Sequence, residues 1–142
     1  MTAVDDATAA YILETRKAFE DLRQVAAQLS GLLVLEAAGA RSELPHHPML
    51  AAAEELWRGA SEAARSSGPT PRARRHHEHL LAAAALLREA LSAARQSLAI
   101  DPILLPLRAA HSHLQAAGRE LPGFEMVAFA QGCCALPARS IA

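Results

Sequence analysis

Seven histidines stand in three short groups, His46-His47, His76-His77-Glu78-His79 and His111-Ser112-His113. Neutral imidazole nitrogens ligate first-row transition metals, so each group is a candidate metal site. On a helix with about 3.6 residues per turn, His76 and His79 share a face, whereas His111 and His113 point about 200° apart. One ion therefore cannot take both members of the last pair from an unbroken helix. The remaining soft donors are the adjacent thiols Cys133 and Cys134. Spacings for a covalently attached haem (C-x-x-C-H), a zinc protease (H-E-x-x-H) or a di-iron bundle (paired E-x-x-H) are absent.

A second group, Arg72, Arg74 and Arg75, is the one local basic concentration and a candidate anion-binding site at the start of a helix, where free amides attract negative charge. Further on, Arg108-Ala109-Ala110-His111-Ser112-His113 has R-x4-H spacing and resembles the signature of the HEPN ribonucleases, which are small helical bundles. That resemblance covers six residues and implies roles for Arg108 and His113 on RNA phosphate. Ala109 stands where the family usually has a polar residue, and Arg72 to His77 and Arg74 to His79 repeat the spacing. No Gly-rich phosphate loop or nucleophile elbow is present.

The elements that must carry these residues are helices. Ala and Leu, both strong helix formers, supply 34 and 21 residues, while Val, Ile and Thr together number 12. The first helix is expected to start at Asp5 or Asp6 and run to Gly31 or Gly39. Tyr11, Thr15, Ala18, Leu22, Val25, Leu29 and Leu32 repeat every four and three residues, widened by Ile12, Phe19, Ala26 and Leu33. Its length suggests a portion extending beyond shorter neighbours, so Tyr11, Ile12 and Phe19 are expected to form an interaction surface. A second helix follows Pro48 with Met49, Ala53, Leu56, Trp57, Ala60 and Ala63 inward.

Thr70-Pro71 is expected to cap the third helix, whose stripe is Leu80, Ala84, Leu87, Leu91, Ala94 and Leu98. Asp101-Pro102 repeats that signature before a fourth helix with Ile103, Leu104, Leu107, His111 and Leu114 inward. A short helix over residues 124–134 would add Met126, Val127, Phe129 and Ala130. The expected fold is all-α: an antiparallel four-helix bundle with a short additional C-terminal helix, one domain over residues 1–142 with loose tails at 1–4 and 137–142.

Axial levels then sort the candidates. Counted from the turn near Asp101, His77 and His111 differ by about 14 residues, or roughly 21 Å, and should not meet. His46 and His47 fall near the level of His111, and a returning last helix would bring Cys133 and Cys134 there. The candidate metal or redox set is thus His46, His47, His111, His113, Cys133 and Cys134. The alternative is that His111 fills a core position through a buried hydrogen bond and the thiols pack as small buried groups.

Apolar residues make up 51% of the chain, charged residues 20%, and the net charge is −1. That balance excludes a disordered polyelectrolyte and a broadly basic nucleic-acid binder. The longest apolar run, Leu80 to Leu87, is too short to span a bilayer, and no targeting signal precedes Asp5, so a cytoplasmic location without membrane partners is expected. The expected function is non-catalytic, through a protein partner or self-association into a homo-oligomer. A bundle binding a metal or small ligand is the alternative, with no resident cofactor implied, and HEPN-like RNA cleavage a further one.

Overall fold

The computed structural model describes residues 3–39, 44–96 and 99–124. The expected 124–134 helix and the thiols Cys133 and Cys134 lie outside the described residues, apart from Phe124; Leu98 lies outside them as well. Among the described residues the protein is all-helical: α1 (Asp6–Ala37), a single 3-10 turn (Leu44–His46), α2 (Pro48–Ser66), α3 (Arg74–Gln96) and α4 (Asp101–Glu120). The helices pack as a bundle. The α3–α4 seam is the most extensive and α3 touches every other element.

Helix α1 begins where Asp5, outside the helix in extended conformation, accepts a hydrogen bond from the Thr8 amide at 2.6 Å. Every residue of its expected stripe is buried, from Tyr11 to Leu33, and Thr8 joins them. Buried Thr15 donates its hydroxyl proton to the Tyr11 carbonyl, 2.8 Å away, so neither polar group is orphaned. The opposite face carries exposed Glu14, Lys17 and Gln24, with Lys17 paired to Asp21 one turn on.

Helix α2 is turned slightly from expectation. Its buried residues are Leu50, Ala53, Ala60, Ser61 and Ala64, while Met49 and Ala63 are exposed and Leu56 and Trp57 are half-buried against the core. Leu50, wholly buried, takes the inward place given to Met49. The Arg95 guanidinium ties this end of the bundle, bonding to Glu54 in the first half of α2 and to the Pro45 carbonyl in the 3-10 turn.

Thr70 accepts from the Ala73 amide, but this closes a turn over residues 71–73 and α3 starts only at Arg74, so Thr70-Pro71 stands ahead of the helix instead of capping it. Helix α3 buries Leu80, Ala84, Leu87, Leu91 and Ala94. Asp101 does not cap α4: it is already helical, and Ile100 precedes it with no side-chain cap bond. The inward stripe of α4 is Ile103, Leu107, Ala110, Leu114 and Ala117. His111 is exposed, which corrects its expected core position, because Ala110 fills that place one residue earlier.

Two glycines let the chain fold back over the end of α4. Gly123, at φ +94, makes a turn that side chains oppose, and a Cβ on Gly118 would sit 2.7 Å from the Phe124 carbonyl oxygen. Phe124 is thereby buried against Phe19, with ring centroids 5.1 Å apart.

Candidate functional site

The first turn of α3 carries the histidines into two different settings. His76 lies four residues before Leu80, on the buried stripe run backwards, and is wholly buried. Its Nδ1 is 2.9 Å from the Tyr11 hydroxyl, which also lies 3.4 Å from Nδ1 of half-buried His77. One proton arrangement satisfies this chain best: His76 Nδ1–H donates to the Tyr11 oxygen, and Tyr11 donates to His77. His76 Nε2, buried without a partner, is then a bare acceptor rather than an orphaned N–H.

The His76 ring stacks on Phe124 with centroids 4.2 Å apart and meets Tyr11 edge-on at 5.5 Å. Loss of water around the ring pushes its pKa down to about 4, with His77 and His79 adding to the effect. Burial likewise raises Tyr11 to about 12, and it lowers His77. These groups are neutral at physiological pH. Tyr11, Ile12 and Phe19, expected to form an interaction surface, are interior residues. The start of α3 and the returning Phe124 contribute to covering this end of α1, so the expectation of an uncovered stripe is corrected.

One turn on, His79 is half-buried and faces α4. Its Nδ1 lies 3.0 Å from Nδ1 of half-buried His113, with the rings 5.2 Å apart and tilted 42°. Counting from Asp101 along both helices sets these two groups apart, since it leaves His79 and His113 about 10 residues, or roughly 15 Å, out of level. Measured from Gln96, the last residue of α3, His79 is 17 residues back, and His113 is 12 residues beyond Asp101. That count leaves a difference of about 7.5 Å, half of what counting from Asp101 gives.

The other candidates are dispersed. His47 accepts from the Met49 amide at 3.0 Å and caps α2, while His46 and His111 are exposed. No group of three or more His, Cys, Asp or Glu among the described residues is placed to hold a metal ion. Arg72, Arg74 and Arg75 are all exposed around buried Ala73. Asp5 is held below the usual carboxylate range chiefly by the Thr8 amide, with Arg72 adding positive charge. Arg108 is exposed, and five residues of helix set it about 140° around α4 from half-buried His113.

The sequence reading missed an open groove of about 640 Å³ between α2 and α3. Trp57 forms part of its wall and donates its indole N–H to the Ala84 carbonyl at 2.8 Å. Leu81, Ala85 and Ala93 extend the apolar lining, and Arg65, Arg88 and Glu89 supply charge. Arg65 pairs with Glu62, whereas Arg88 makes no ion pair among the described residues. A smaller groove of about 240 Å³ shares Trp57 and Arg88. No helix among the described residues is long and apolar enough to cross a membrane.

Comparison with protein-family models, curated proteins and solved structures finds no match.

Proposed function

We propose that the protein is a non-catalytic antiparallel helical bundle that binds another protein along the α2–α3 groove. The observation that carries this reading is the presence of half-buried Trp57 and exposed Arg88 together in an open groove of mixed apolar and polar lining. Trp and Arg dominate the binding energy of protein interfaces: an anchored indole offers a large apolar surface, and an unpaired guanidinium takes a carboxylate by two parallel bonds. The matching partner is an amphipathic segment with apolar residues toward Trp57 and an acidic residue at Arg88. Antiparallel packing of α2 on α3 is supported by the bonds Glu54 to Arg95 and Trp57 to Ala84, whose numbers rise on one helix as they fall on the other.

The test is a photo-cross-linking residue placed in living cells at Ala85, in the groove, and separately at exposed Gln115 on α4. Ala85 should give a discrete adduct whose cross-linked segment is acidic and amphipathic, and Arg88→Glu should abolish it. Equal adduct patterns at the two positions, or an adduct only with a second copy of the chain, would overturn this assignment.

A further inference from the structure

We infer that His79 and His113 form a cross-helix binding site for a divalent first-row transition metal that prefers nitrogen donors at right angles, as nickel and copper do. The two Nδ1 atoms come from different helices and stand 3.0 Å apart. With metal–nitrogen bonds of about 2.0–2.1 Å, that separation subtends an angle of about 90–100° at a shared ion. Adjacent positions of a square-planar or octahedral centre have this angle, and a tetrahedral centre requires a wider one.

The neighbours of His113 along its own helix are small. The residues three and four positions either side of His113 are Ala109, Ala110, Ala116 and Ala117. Both imidazoles are half-buried, so water reaches the pair and would complete the coordination shell. Without metal the same contact is a hydrogen bond, Nδ1–H of one ring to Nδ1 of the other. On binding, the ring that held this proton takes the Nε2–H tautomer, both Nδ1 lone pairs go to the ion, and no net proton is released. The ion would clamp α3 to α4.

Isothermal titration calorimetry of the untagged full chain with Ni(II) tests this site. Cys133→Ser and Cys134→Ser are included in every sample so that thiols do not compete. Saturable binding of one ion is expected, weakened roughly tenfold or more by either His79→Ala or His113→Ala and unchanged by His111→Ala. Circular dichroism checks that each variant is folded, with His113→Gln replacing any that is not. The site is refuted by absence of saturable binding up to about 1 mM Ni(II), or by equal affinity in His79→Ala and the parent.

Discussion

His76 and His79 stand one turn apart on α3 and are put to opposite uses. The first is sealed under Phe124 and bonded to Tyr11, with its charge suppressed; the second is wetted and meets a histidine of α4. Residue type is the same, so the difference belongs to position. A helical residue on the apolar stripe is forced into low dielectric, and a residue three further on, at the edge of that stripe, keeps access to water.

Removing the cover should blur this contrast most. Phe124→Ala is expected to destabilise the fold by about 3–5 kcal/mol, measured by urea unfolding, because it opens a cavity over Phe19 and admits water to His76. An unchanged midpoint would show that Phe124 seals nothing.

Acid should separate the two histidines next. The unfolded chain binds a proton at His76 near pH 6.5, whereas the folded protein resists until about pH 4. Between those values the unfolded state binds more protons, so stability is full above pH 6.5 and declines as pH falls toward 4. The His76 share of that loss is about 3 kcal/mol. His76→Phe should flatten the stability–pH curve in this window; coincident slopes would refute it. The smallest effect is expected at the wet pair, where His79→Ala without metal should change stability by less than about 1 kcal/mol in the same urea assay.

The sequence made α1 legible because apolar residues recur at alternating four and three over about six turns, leaving one phase. In α2 the phase rests on alanines, and Ala63 and Ala64 are equally apolar, so the choice between Met49 and Leu50 was underdetermined. In α4 the run Ile103-Leu104-Leu105 likewise admits more than one inward face, so the periodicity alone does not choose Ala110 over His111 for the inward place. His76 was hidden by its neighbours: a histidine after Arg74-Arg75 reads as solvated, although extending the Leu80 stripe back by four residues marks it as interior. The His79–His113 contact depends on where α3 ends and how the helices incline. The groove depends on the gap between two helices, which no periodicity specifies.

The buried faces of α3 and α4 also shape the response to temperature. Ala83, Ala90, Ala94, Ala110 and Ala117 are all wholly buried, and each withdraws less hydrocarbon from water than a leucine in its place. Heat capacity of unfolding follows the apolar area newly hydrated. A chain that fills so many interior sites with single methyl groups should therefore have a low heat-capacity increment for its length. Its stability should then vary gently between cold and heat, with the two denaturation temperatures set far apart.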